Sequence, residues 1–160
     1  MTVTLLQFGE TRDKHVCALC EDFERRLSSR WQMVRRVLRP CRLSDDPSEA
    51  EIRAALEKEG AELLSVLESH RRALKVALCV EGREVTSNEL AALMGENMQT
   101  HGEFVFIIGS SYGLSETVKR ACDVRLSLSR LTLPHELCRL VFTEQLYRAY
   151  TILNSMKYHK

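Results

Sequence analysis

The chain of 160 residues has few of the residues that punctuate or break structure: three prolines, seven glycines and a single tryptophan. That scarcity excludes collagen-like and Pro/Gly-rich linker sequences. No apolar run approaches the roughly 18 residues needed to cross a bilayer, so no membrane partner is expected. The first residues, Met1-Thr-Val-Thr-Leu-Leu-Gln-Phe8, carry neither a basic start nor a small-residue cleavage site, and the cytoplasm is the expected location. An excess of charge of either sign is also missing, with a net charge of +1. Cysteine is not scarce, at six residues, but only Cys17 and Cys20 form a close pair. A metal site needs a second pair or histidines at ligand spacing. On a helix the two would share one face, which fits small buried hydrophobes better.

What is present is a balanced globular composition, 44% hydrophobic and 28% charged. A chain of this length reads as one domain, residues 1–160. Val3 to Phe8 reads as a buried strand stopped by Gly9. Residues 14–28 carry Val16, Leu19, Cys20, Phe23 and Leu27 on one helical face. Trp31 to Leu38 reads as a second strand, and Pro40 to Pro47 as a loop. Ser48-x-x-Glu51 opens a helix as a capping box, with a possible break at Gly60. Leu74 to Val80 is a strand ending at Glu81-Gly82, and Thr86-x-x-Glu89 is a second capping box. Phe104 to Ile108 is continuously apolar, as in a strand covered on both faces. A short helix after Leu114 leads to a last strand, Val124 to Leu128. Pro134 then starts a helix whose apolar stripe is Leu137, Leu140, Val141, Leu146, Tyr147 and Tyr150. Strands alternating with helices imply an α/β fold, a mostly parallel sheet with helices on both faces.

The neutral total hides segregated charge. Glu21 to Arg42 holds seven arginines against three acids, a net of +4, and Asp45 to Glu68 has a net of −6. The basic segment, Arg25 to Arg42, is a candidate for phosphate contact. A basic strand and an acidic helix that face each other or solvent would produce the same pattern.

Two stretches carry the candidate chemistry. Gly109-Ser-Ser-Tyr-Gly113 follows an apolar strand and opens a helix. It is too short for a dinucleotide fingerprint and lacks the lysine of a phosphate loop. What remains is a turn whose glycines let backbone approach a ligand, or an unliganded tight turn. Ser127-Leu-Ser129-Arg130-Leu-Thr132-Leu-Pro134-His135 offers hydroxyls and free main-chain groups that could hold an adenine ring. It could equally be a helix start with Thr132 near the cap. Both loops would lie at the carboxyl ends of neighbouring strands, where open α/β sheets bind small molecules. Glu144 and Arg148 are spaced i, i+4 in the favourable order. The terminal Tyr158-His159-Lys160 should fray unless held, and a dimer interface could hold it.

Taken together, Leu131-Thr-Leu-Pro-His135, Glu144-Gln-Leu-Tyr-Arg-Ala149, Tyr158-His159-Lys160, Lys58-Glu59-Gly60 and the strand ending at Glu81-Gly82 resemble the H-type large-subunit ribosomal RNA methyltransferases, a small SPOUT-class family. The resemblance covers essentially the whole chain. It implies a C-terminal trefoil knot over about residues 104–160, which periodicity does not suggest, knots being nearly absent among folds. It implies a homodimer, S-adenosylmethionine as cofactor, and as substrate N3 of a pseudouridine in 23S rRNA of the assembled ribosome. By the same resemblance the cofactor would touch Leu78, Gly109, Ser110, Gly113, Ser129, Arg130, Leu131, Thr132, Leu133 and Pro134. Arg148, Tyr158, His159 and Lys160 would serve the target base. His159 is the preferred proton acceptor, since histidine exchanges protons near neutral pH. Ser110 stands where the family usually has a second glycine, Lys157 where it has proline before the Tyr-His pair, and Arg130 where a small or neutral residue is usual. A different RNA methyltransferase of the same fold, acting on tRNA or another rRNA site, and a non-catalytic ribosome-associated relative are the alternatives.

Overall fold

The structure, a computed structural model, describes residues 1–28 and 30–159. In chain order the elements are β1 (Thr2–Phe8), α1 (Lys14–Leu27), β2 (Gln32–Leu38), α2 (Glu49–Leu67), β3 (Leu74–Glu84), α3 (Ser87–Asn97), β4 (Glu103–Ile108), α4 (Glu116–Ala121), β5 (Val124–Ser127) and α5 (His135–Leu153). The five strands form one sheet in the order β2-β1-β4-β3-β5, every pair parallel. Both capping boxes form. Ser48 and Thr86 each accept from the amide of the glutamate three residues on, Glu51 and Glu89, and each glutamate accepts from the cap amide in return. No helix is long and apolar enough to cross a membrane among the described residues.

The sheet has two covered faces, and the pleat sorts residues between them. Val3, Leu5, Phe104 and Phe106 pack with Leu27, Met94, Phe142 and Leu146, under α1, α3 and α5. Leu6, Phe8, Val105 and Ile107 pack with Leu63, Leu67 and Val118, under α2 and α4. Successive residues of β4 therefore serve opposite cores, which is why Phe104–Ile108 is apolar without alternation.

The structure differs from the sequence reading in four places. First, α2 runs unbroken through Gly60. The missing side chain serves close packing, because a Cβ there would lie 2.5 Å from Ser115 Oγ at the start of α4. Second, β3 continues past Gly82 to Glu84, with a register shift against β5 between Leu78 and Arg83. Gly82 lets the two backbones meet, since its Cβ would sit 2.5 Å from the Leu126 carbonyl carbon. Third, Leu19 is 50% exposed on α1. Fourth, Leu137 and Val141 are 42% and 38% exposed on α5, and the buried face is Phe142, Leu146, Ala149 and Tyr150. Arg139 shares that face, fully buried and paired with Glu24 at 2.9 Å and Thr11 at 3.0 Å. An apolar tally cannot find a buried arginine.

Candidate functional site

A cleft of about 630 Å³ opens at the carboxyl ends of β3, β4 and β5. Its size is ordinary for a small-molecule site. Leu78 of β3 and Ile108 of β4 line it, with the 109–114 turn and the loop from Ser127 to His135. The turn needs both its glycines. A Cβ on Gly109 would lie 2.3 Å from the Gly113 carbonyl oxygen, and Gly113 has φ +87°. The turn closes on itself through the Gly113 N–H, which donates to the Ser110 carbonyl at 2.9 Å. Ser110 does not crowd the cleft with its side chain. Its Oγ turns away and donates to Glu59 Oε2 of α2 at 2.8 Å.

The second loop is held by its serines. Ser127 Oγ donates to the Ser129 carbonyl at 2.9 Å, and Ser129 Oγ accepts from the Leu131 N–H at 3.0 Å. Past that point the main-chain groups of Thr132 and Leu133 take no hydrogen bond among the described residues. They leave amides and carbonyls open at the cleft, where a heterocyclic edge can pair with them. Pro134 is the N-cap of α5 and no side chain among the described residues caps that helix, so Thr132 has no capping role.

One wall is charged. Lys119, with only 13% of its side chain exposed, pairs with Glu81 and with Glu116. The Lys119 hydrogen bond holds the Glu81 carboxyl below its ordinary range. Burial opposes the charge on Lys119, but its bonds to the two glutamates keep its pKa raised. Cys138 also lines the cleft, and burial pushes its thiol up to about 11. It stays protonated at neutral pH and is a poor nucleophile.

The chain terminus forms a separate cluster on α5. Arg148 pairs with Glu144 at 2.6 Å, and its guanidinium lies 4.9 Å from the centre of the Tyr158 ring. Tyr158 donates to Glu144 Oε1 at 3.0 Å and packs edge-on against Tyr147. The tail is thus held by its own helix. Burial and the Glu144 bond both raise the Tyr158 pKa. His159 Nδ1 is buried without a hydrogen-bond partner among the described residues. Lys160 lies outside the described residues.

Of the residues singled out in the sequence, Leu78, Gly109, Ser110, Gly113, Ser129, Leu131, Thr132, Leu133 and Pro134 line the cleft together. Arg130 does not. Its side chain is 87% exposed, with Nε 3.5 Å from Glu84. Arg148, Tyr158 and His159 are not in the cleft wall either. His135 at the start of α5 lines the cleft, and at 1.5 Å per residue Arg148 lies about 20 Å further along that helix. Sequence reasoning missed Glu59, Glu81 and Lys119 as neighbours of the site. Glu59 and Glu81 stand in the segments that carry the family resemblance, which assigned them no place at the cleft.

The sequence model described as "Predicted SPOUT methyltransferase" matches residues 1–159. The chain is 33% identical over 160 residues to a protein of Malacoplasma penetrans named Ribosomal RNA large subunit methyltransferase H, with all of both chains covered. It is 34% identical over 159 residues to the protein of that name from Caldicellulosiruptor bescii, covering 99% of each. Among solved structures, a probable methylase family protein from Haemophilus influenzae matches with a TM-score of 0.52 at 13% identity, over 96% of this chain and 66% of that one, and this likeness concerns the fold alone. A parallel α/β sheet, a cleft at the carboxyl ends of its strands and a family match over nearly every residue agree: the chain belongs to the SPOUT methyltransferase family.

Proposed function

We propose that the protein is an S-adenosylmethionine-dependent methyltransferase of large-subunit ribosomal RNA, acting on N3 of a pseudouridine in 23S rRNA on the assembled ribosome, in the cytoplasm. The observation that carries the reading is the cleft itself. In a chain of this family, nine of the residues expected to hold the cofactor line one cavity. The cavity also fits the group chemically. Apolar Leu78, Ile108 and Leu133 suit a purine face, open main-chain groups at Thr132 and Leu133 suit its edge, and the Gly109–Gly113 turn admits backbone contact.

When bound, S-adenosylmethionine supplies an electrophilic methyl on its sulfonium and leaves as the neutral thioether. The chain's residues position the two reactants and manage one proton. His159 takes the N3 proton on a ring nitrogen, as an imidazole is suited to general-base work. Arg148, oriented by Glu144, faces the negative charge developing on the uracil carbonyls. Tyr158 fixes Arg148 by ring contact, and Lys160 adds a second cation. The distance between these groups and their own cleft supports a homodimer in which each terminus serves the partner's cleft. Leu137 and Val141, exposed on one stripe of α5, supply an apolar surface for such a contact. The C-terminal knot is assigned to about residues 104–160.

The basic segment supports RNA contact. Arg36 and Arg39 are exposed on and beside edge strand β2 and make no ion pair among the described residues, whereas Arg35 pairs with Glu10 at 3.0 Å and Arg25 with Asp22. Replacing Arg36 and Arg39 by alanine should weaken ribosome binding and reduce the slope of affinity against salt by about one to two. An unchanged slope assigns them to solvent.

The direct test incubates the protein with methyl-labelled S-adenosylmethionine and ribosomes lacking the modification, with free 23S rRNA and tRNA in parallel. Label on the ribosome alone, at N3 of one pseudouridine, is the expected result. Label on tRNA would move the activity to another substrate, and no label with no cofactor binding would leave a non-catalytic protein.

A further inference from the structure

Among the described residues Glu59 is the one acidic residue that is buried, at 4% exposure, and it sits on α2, outside the cleft. Its two oxygens are both engaged, and by segments far apart in sequence. Oε1 accepts the Cys41 N–H at 2.7 Å, from the loop after β2. Oε2 accepts the Ser110 hydroxyl at 2.8 Å, from the cleft turn. The next residue, Gly60, packs against Ser115, which caps α4 and ends the same turn. One turn of α2 therefore touches both ends of the segment from Ser110 to Ser115.

From this geometry we propose that Glu59 and Ser110 form a strut that positions the Gly109–Gly113 turn for the methyl donor. Neither side chain acts by contact with the donor; the strut acts through the backbone of the turn. The Ser110 main chain and Gly109 face the cleft while the Ser110 hydroxyl is anchored behind it. A buried carboxylate is costly without partners, so its two bonds hold both segments firmly. Glycine at 110 would leave the turn free to sample other conformations, and the donor would then select among them, weakening apparent affinity. The serine in this chain is thus a pre-organising residue, and its anchor lies one layer behind the site.

This inference rests on the donor assignment above, and the test separates the two. Binding of S-adenosylmethionine is measured by calorimetry for the wild type, Ser110→Ala, Glu59→Ala and the double variant, with thermal midpoints recorded beside each. Ser110→Ala should weaken donor binding by about three- to tenfold, and Glu59→Ala by at least as much. The double variant should be little worse than Glu59→Ala alone, because both changes remove the same bond. KM for the donor should rise with kcat at saturating donor nearly unchanged, a split that general loss of stability does not produce. Ser110→Thr, which keeps the hydroxyl, should restore most of the affinity. Wild-type protein that fails to bind the donor would overturn the donor assignment itself. Wild-type binding with unaltered affinity in Ser110→Ala, or strictly additive effects in the double variant, would overturn the strut. If Glu59→Ala does not fold, Ser110→Ala and Ser110→Thr still decide the question, since Ser110 is only half-buried.

Discussion

Single residues at the cleft answer to backbone geometry more than to side-chain chemistry. Gly109 is the sharpest case. A methyl group there meets the Gly113 carbonyl oxygen at 2.3 Å, and that atom is main chain in a turn with φ +87°, so it cannot rotate away. Gly109→Ala should open the turn and reduce donor affinity by about tenfold or more, a loss near 1.4 kcal/mol. Titration by calorimetry checks it, and an unchanged affinity would mean that the turn does not contact the donor. The two glycines were legible in the sequence as a turn, but the fate of Ser110 between them was not. Ser110 reads as an obstacle until Glu59, 51 positions away, is seen to take its hydroxyl. A local pattern has no access to that contact.

Elements came through the sequence where their signals are local. Ser48/Glu51 and Thr86/Glu89 announce helix starts because the capping groups lie within one turn of each other, and both boxes form. The apolar run at Phe104 announces a doubly covered strand because burial on both faces leaves no polar position. Non-local roles did not come through. Gly60 and Gly82 look like breaks, yet each marks a close approach of elements distant in sequence. The two effects can be weighed at Gly60. In an open helix, alanine for glycine would gain roughly 0.5–1 kcal/mol of stability. Here the added Cβ would lie 2.5 Å from Ser115 Oγ, which is itself fixed by capping Val118 at the start of α4. Overpacking costs about 1–3 kcal/mol, so the balance is a loss. Gly60→Ala should lower the thermal midpoint by a few degrees, and a rise would show that α2 and α4 separate easily. The exposed Leu137 and Val141 follow the same logic. Their spacing reads as core, and only the packing of α5 reveals that they face outward.

For the whole molecule, carboxylates tie stability to pH. Glu81 is held below the ordinary value of 4.5 by its Lys119 bond, and Glu136 by the Arg12 and Asp13 amides. A carboxyl with a depressed folded pKa binds fewer protons folded than unfolded. Its stabilisation is therefore complete above the unfolded value and lost as pH falls through the folded one. The thermal midpoint should be flat near neutrality and fall below about pH 4.5, and a midpoint that holds constant through about pH 3 would show these contacts to be dispensable. A second property belongs to the assembly alone. The cleft and the Arg148–Tyr158 cluster lie about 20 Å apart along α5, so the proposed dimer composes each site from two chains. Gly109→Ala damages only a cleft and Arg148→Ala only a terminus. At donor concentrations well below the raised KM of Gly109→Ala, each variant alone should have little activity on ribosomes. Mixed in equal amounts and allowed to exchange, half of the dimers carry one damaged part on each chain. Within such a dimer the two intact parts meet at one site and the two damaged parts at the other. Activity should recover to about a quarter of wild type under random exchange. If both parts of a site came from one chain, every site in the mixture would remain damaged and no activity would return, which makes the mixing assay the decisive measurement of how the site is assembled.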